Sequence, residues 1–358
     1  MLGTASPEAL RLAFAVLNTG DWRCWLPFSL EGYASWQPHY ELAHLAFISQ
    51  VGVSRYCCQE GSPCWDESFT AERCCGEPVL PCRCDAGICY APSRNSDGSF
   101  SLAAEASPDP SRCATLDEAG AYFGDPVHGA SDKFSVVHDY LSLYSSVVPI
   151  PVDARILEVG VEFGNSLAMW GFWAPRGEVV GVDVKPLDQG HWDGLVARGA
   201  NASGNLRTVL GDSARAEVVA AVGDRAWDLV IDDGDHCHGH QIDTFENLFP
   251  LVRPGGYYVV EDVFLAQSGA LSYANCPPAA VETLAYFQAL AQQAWVEPAR
   301  HYDFSRDADA ARWQGCLLEC PTPGPGCHQC HRAPEVWRKL VDWVLFRRDH
   351  VVIRKWGP

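Results

Sequence analysis

Ile231-Asp-Asp-Gly-Asp-His236 and the later stretch Pro254-Gly-Gly-Tyr-Tyr-Val-Val-Glu-Asp262 share one pattern: an apolar run that ends in acids. The runs, Trp227–Ile231 and Tyr257–Val260, read as parallel strands buried on both faces. In open α/β sheets, ligands bind outside the carboxyl ends of the strands. If the two strands are neighbours, Asp233, Glu261 and Asp262 converge with His236 beside them. Three hard carboxylates suit Mg²⁺ or a similar divalent cation, and an imidazole can accept a proton. The combination points to metal-assisted chemistry on a hydroxyl group.

Outward from this pair, strands and helices alternate from about residue 131. Arg155–Val159, Glu178–Val182 and Leu206–Leu210 read as further strands. Helices are expected over Ser166–Trp173, 213–222 and His240–Leu251, the last ended by Pro254-Gly-Gly. Val341–Arg347 and Val351–Lys355, flanking Arg348-Asp349-His350, read as an antiparallel hairpin closing the sheet. The expected fold class is α/β: a doubly wound, mostly parallel, seven-stranded Rossmann-like sheet with a C-terminal antiparallel hairpin. Residues 126–358 form the expected catalytic domain, with a cysteine-rich insertion at about 270–335. Residues 1–125 form an accessory region, helical and then irregular and cysteine-rich.

The 16 cysteines are unevenly placed: nine lie between Cys57 and Cys113, whereas 131–270 holds only Cys237. Clusters outside a self-sufficient core point to disulfide-stapled loops and an oxidising compartment. The secretory lumen or the extracellular space is therefore favoured, with the cytoplasm as the alternative. Zinc held by Cys316, Cys320, Cys327 and Cys330 is the competing use of the C-terminal cluster. Cys327-His-Gln-Cys-His331 matches a covalent-haem pattern, but the chain offers no identifiable axial partner. Cys237 reads as a small, semi-buried filler.

At 358 residues, with 47% hydrophobic content and 13 Trp, the chain can bury a large core. The formal net charge of −19 supplies no basic stripe for phosphates, which argues against nucleic-acid and anionic-membrane partners. No segment reaches the roughly 18–20 apolar residues of a membrane span. The expected partner is a small-molecule or glycan hydroxyl acceptor, and a homo-oligomer is compatible with the sequence.

Three more strand ends carry chemistry. Leu157-Glu-Val-Gly-Val-Glu-Phe-Gly164 runs from a strand through a glycine turn into a helix, where a ligand can approach backbone donors. Asp183 ends the second strand, placed to grip ribose hydroxyls. Asp212 ends the third, where a carboxylate can accept from an adenine amino group. Together these ends outline a nucleoside crevice, against the plainer reading of ordinary caps and turns.

Here a resemblance becomes specific. The region from Ser131-Asp-Lys133, with His138 and Tyr140, resembles the class I S-adenosylmethionine-dependent methyltransferases. Within them it is most similar to the metal-dependent sugar O-methyltransferases of macrolide biosynthesis. The motifs that carry it are the Leu157-Glu-Val-Gly turn, Ser166-Leu-Ala-Met-Trp170, Asp232-Asp-Gly-Asp-His236 and Arg253-Pro-Gly-Gly256 leading into Glu261-Asp262. The resemblance implies S-adenosylmethionine and Mg²⁺ as cofactors, Asp233, Glu261 and Asp262 as metal ligands, and His236 as general base. Glu158, Gly160, Glu162, Ser166, Asp183, Asp212 and Asp232 form the candidate cofactor-binding set. Asp235 stands where a small hydroxyl residue is expected in relatives. His238 and His240 read as solvent-facing or substrate-contacting.

The expected activity is transfer of a methyl group to a hydroxyl of a sugar, glycoside or related small molecule. A catechol-like or polyketide hydroxyl is the alternative acceptor. The competing class is a non-catalytic binding protein on the same fold, since fold alone does not establish activity.

Overall fold

The computed structural model of the chain describes residues 81–106, 112–123, 133, 140–223, 226–263, 276, 279–296, 340–347 and 349–357. The expectations for residues 1–80 and for the C-terminal cysteines from Cys316 to Cys330 lie outside the described residues. Cα proximity divides the chain into two compact units that interleave in sequence. One comprises Met1–Asp153, Phe163–Gly177 and Leu187–Leu206; the other comprises Ala154–Glu162, Glu178–Pro186 and Arg207–Pro358.

The first unit contains a three-stranded antiparallel sheet of β1 (Arg83–Asp85), β2 (Ile88–Arg94) and β3 (Phe100–Ala106), in that order. This corrects the expectation that the cysteine-rich stretch is irregular throughout. Ala86 and Gly87, at φ 46° and 79°, form the two-residue connection whose handedness matches the twist of the paired strands. The disulfide Cys82–Cys89 ties the residue before β1 to β2, and Cys84–Cys113 links β1 to the chain beyond β3. Among the described residues this unit also holds four helices: α1 (Leu116–Phe123), α2 (Tyr140–Val147), α3 (Asn165–Trp173) and α4 (Gln189–Val196). Thr115 and Glu118 cap the start of α1 reciprocally, each side chain accepting from the other's backbone N–H. Asn165 links three helices: it donates to the Phe123 carbonyl at 2.7 Å, and its Oδ1 lies 3.0 Å from His191 Nε2.

The second unit is built on a mixed seven-stranded sheet. Its strands are β4 (Arg155–Val159), β5 (Glu178–Asp183), β6 (Leu206–Leu210), β7 (Trp227–Asp232), β8 (Val252–Val260), β9 (Val341–Arg347) and β10 (His350–Lys355). The order is β6-β5-β4-β7-β8-β10-β9. β4 pairs in parallel with β5 and β7, and β7 with β8, while β10 runs antiparallel to both β8 and β9. The chain reverses its direction of travel across the sheet at β4. The crevice beyond the β4 and β7 carboxyl ends is therefore a topological switch point. Burial on both faces explains the unbroken apolar runs of β4, β5 and β7; β6, at the sheet edge, has no fully buried residue.

Among the described residues this unit holds three helices: α5 (Ala216–Val222), α6 (His238–Leu248) and α7 (Thr283–Val296). α6 ends in a 3₁₀ turn, Phe249–Leu251, rather than running on as a helix to 251. β8 starts at Val252, so Pro254-Gly-Gly lies inside the strand rather than before it. The register slips there, from Trp227↔Val252 to Leu229↔Tyr257, because the β8 strand bulges where Pro254 has no N–H to donate. Phe245 of α6 packs edge-on against Tyr258 and Phe287, at ring distances of 5.1 and 5.0 Å. These rings tie α6, β8 and α7 into one core. Among the described residues, no helix is long and apolar enough to cross a membrane.

Candidate active site

Every expected site residue except Ser166 lies in the second unit, at or just past a strand's carboxyl end. The turn after β4 and the turn after β7 nearly touch. Gly160, at φ 83°, sits so close to the second turn that a Cβ there would meet the Asp233 carbonyl oxygen at 1.8 Å. Two backbone bonds stitch these ends, Gly160 N–H to Val182 O and Asp233 N–H to Val159 O, both 2.9 Å. Glycine at 160 is thus required twice, by its left-handed backbone and by the close approach.

Asp233, His236 and Asp262 are brought together: one ligand atom from each lies within 4.8 Å of the others. His236 Nε2 is 3.8 Å from Asp262 Oδ2, and the imidazole is 11% exposed. His236 and Asp262 adopt φ values of 60° and 54°, a backbone region costly for residues with side chains and concentrated at functional sites. The two carboxylates are hard donors that fit Mg²⁺, whereas the imidazole is better suited to proton transfer than to that ion. Glu261 is fully buried beside Asp262 but is not part of this three-residue cluster.

Asp232 ends β7 wholly inside the protein. Burial pushes its carboxyl up to about 8, against a stabilising hydrogen bond from the Gly234 N–H. The Tyr258 hydroxyl lies 3.4 Å from its Oδ2. Asp183 braces the first turn: its Oδ2 accepts from the N–H groups of Val161 (2.9 Å) and Glu162 (3.0 Å), and its Oδ1 from Lys185 (2.8 Å). Glu162, exposed and at φ 47°, is presented by that brace. Asp212 is exposed and accepts from the Ala214 N–H, with Arg215 at 3.3 Å. Glu158 is buried within β4. Ser166 lies buried in the first turn of α3, in the first unit.

Asp235 is not part of the Asp233 cluster. Its Oδ1 accepts from the Cys237 N–H at the start of α6, and its Oδ2 forms a short bond with His240 Nδ1. That hydrogen bond holds the His240 imidazole above its usual pKa. Cys237 is not a simple filler, because it is disulfide-bonded to Cys276. This removes it as a thiolate donor from the second group of close side chains, Asp235, Cys237 and His240.

Sequence reasoning missed two residues beneath the cluster, Gln241 and Thr283. Gln241 Nε2 donates to the Glu261 carbonyl at 3.0 Å, and its Oε1 accepts from the Thr283 hydroxyl at 2.8 Å. A signal existed: Gln241 shares the buried face of α6 with Phe245 and Leu248, at spacings of four and seven. A polar residue on an apolar stripe must satisfy its amide somewhere.

Residues 157–263 match the family described as a methyltransferase domain. Mycinamicin VI 2''-O-methyltransferase of Micromonospora griseorubida is 40% identical over 121 residues, 31% of this chain and 28% of its own. A tetracenomycin-C 3'-O-methyltransferase of Streptomyces olivaceus, acting on the 8-demethyl-8-(2-methoxy-alpha-L-rhamnosyl) compound, is 37% identical over 151 residues, 38% of this chain and 35% of its own. The matches thus span about a third of these relatives' length. A solved methyltransferase of the mycinamycin biosynthetic pathway, in complex with Mg, SAH and mycinamycin VI, is 24% identical with a TM-score of 0.43, covering 69% of this chain and 54% of that one.

Proposed function

We propose that this chain is an S-adenosylmethionine- and Mg²⁺-dependent O-methyltransferase acting on a hydroxyl of a sugar, glycoside or related small molecule. The observation that carries the proposal is the convergence of Asp233, His236 and Asp262 at the carboxyl ends of β7 and β8. The names of the matched relatives support the sugar acceptor. In this reading the second unit's sheet is the doubly wound, Rossmann-like methyltransferase sheet. Residues 126–358 are the catalytic portion and 1–125 an accessory region.

When bound, S-adenosylmethionine would supply the methyl group and the divalent ion would lower the pKa of the acceptor hydroxyl. Asp233 and Asp262 would hold the ion, with Glu261 the proposed third acid. His236 Nε2 takes the hydroxyl proton, and the adjacent Asp262 carboxylate stabilises the imidazolium that results. Gly160, Glu162 and Asp183 shape the turn facing the nucleoside, and Glu158, Asp212 and Asp232 complete the proposed cofactor set. Ser166 is proposed on its motif alone.

Calorimetric titration of S-adenosylhomocysteine, with Mg²⁺ and then with EDTA, tests the reading, followed by a screen of glycoside and catechol acceptors. Micromolar binding with methylation of a glycoside is the expected result. Asp233→Ala should abolish turnover and leave cofactor affinity largely intact. No cofactor binding by folded protein would sink the proposal and favour a non-catalytic binding module.

A further inference from the structure

Beneath the Asp233 cluster runs a buried polar chain that the proposed chemistry does not use directly. Gln241 is 1% exposed and Thr283 not at all. Thr283 opens α7; its N–H donates to His238 Nδ1 at 3.2 Å, and its hydroxyl donates to Gln241 Oε1. With its oxygen occupied by that donor, the Gln241 amide must present its nitrogen to the Glu261 carbonyl, which can only accept. The same peptide segment is held from its other side, where the Glu261 N–H donates to the Asp232 carbonyl at 2.9 Å. The next residue is Asp262, in the left-handed conformation that points its carboxylate toward His236.

We infer that Gln241, oriented by Thr283, is a positioning residue that locks the Glu261–Asp262 turn and thereby sets the affinity for the divalent ion. This rests on the proposed metal-dependent reading. A buried amide held at both ends is rigid, and a left-handed acid needs surroundings that over-determine its backbone. Gln241 also lies one turn into the helix that begins just after His236. The base therefore lies just before the helix that carries the clamp on the acid turn.

The test compares the full-length wild type with Gln241→Met, Thr283→Val and Thr283→Ser. Mn²⁺ binding would be followed by electron paramagnetic resonance and Mg²⁺ binding by calorimetry. Near-UV circular dichroism and S-adenosylhomocysteine affinity in EDTA serve as controls. Gln241→Met keeps the volume and loses the donor. It should weaken ion binding about 10–100-fold, as loss of a group that orients a metal ligand does. Cofactor affinity in EDTA should stay unchanged. Thr283→Val should weaken ion binding less, and Thr283→Ser, which keeps the hydroxyl, should restore it. Wild-type ion affinity in folded Gln241→Met overturns the inference. If Gln241→Met fails to fold, equal ion affinity in Thr283→Val and Thr283→Ser overturns it instead. A wild type that binds cofactor but no divalent ion overturns both this inference and the metal-dependent reading. Ion binding that is intact in the wild type and insensitive to these variants overturns this inference alone.

Discussion

Asp232 shows how much a single position can demand. Its carboxyl ends a strand in the interior, and burial raises its pKa from 3.8 to about 8. Between those values the folded protein holds a proton that the unfolded chain has released, so stability falls as pH rises through this window. Below about 4 both states are protonated and the contribution is fully present; above about 8 it is lost. In metal-free protein, the melting temperature should therefore carry a downward slope from about pH 4 to 8. Asp232→Asn, which keeps an acceptor for the Gly234 N–H, should flatten that component. An unchanged pH profile in the variant would show that Asp232 is ionised in the fold. Asp183 offers the contrast. It was expected to grip a ribose; two of its acceptor positions are taken by backbone N–H groups of the turn after β4, and a third by that of Lys185 just past β5.

At the scale of the element, α6 is the organising piece. Its N-terminus follows His236, its buried face carries Gln241 and Phe245, and its C-terminal end is closed by a side chain from far along the chain. Lys355 of β10 donates from Nζ to the carbonyls of Phe249 (3.3 Å), Pro250 (2.9 Å) and Val252 (2.7 Å). Carbonyls at a helix end have no partner within the helix, so a buried ammonium there satisfies what local structure leaves open. Lys355→Met keeps the apolar stem and removes all three donors. The expected loss is about 3 kcal/mol, since burial of unsatisfied carbonyls outweighs relief of the ammonium's desolvation. Urea unfolding of the metal-free protein would measure it. A loss near zero would mean that the two costs cancel. The helical pattern of α6 was legible in sequence to within a few residues at either end. Its closure by Lys355 was not, because nothing local marks a lysine more than 100 residues away as its partner.

Over the whole molecule, cross-links appear in both units: Cys82–Cys89 and Cys84–Cys113 in one, and Cys237–Cys276 in the other. Cys84–Cys113 spans 29 residues, and the chain-entropy account of such a loop gives about 3–4 kcal/mol. Replacing both partners by serine should cost about that much, read from denaturant unfolding. Peptide mapping without reduction should recover Cys84–Cys113 and Cys237–Cys276. Recovery of all six cysteines as thiols would place the protein in a reducing setting and remove the argument for an oxidising compartment.

By itself the sequence determined the strands of the second unit and the acids at their ends. Burial on both faces leaves a local mark, an unbroken apolar run, and a strand's end is where that run stops. It also grouped Asp233, Glu261, Asp262 and His236 as one candidate cluster, because two such ends become neighbours once the strands are parallel and adjacent; the structure brings together Asp233, His236 and Asp262 but not Glu261. Only the tertiary structure decided which groups answer each other across the chain. Asp235 turns to His240, Cys237 to Cys276, Gln241 to Glu261 and Thr283, and Lys355 to the end of α6. A hydrogen bond or a disulfide depends on a distance in space, and composition and periodicity carry no record of partners separated by tens of residues.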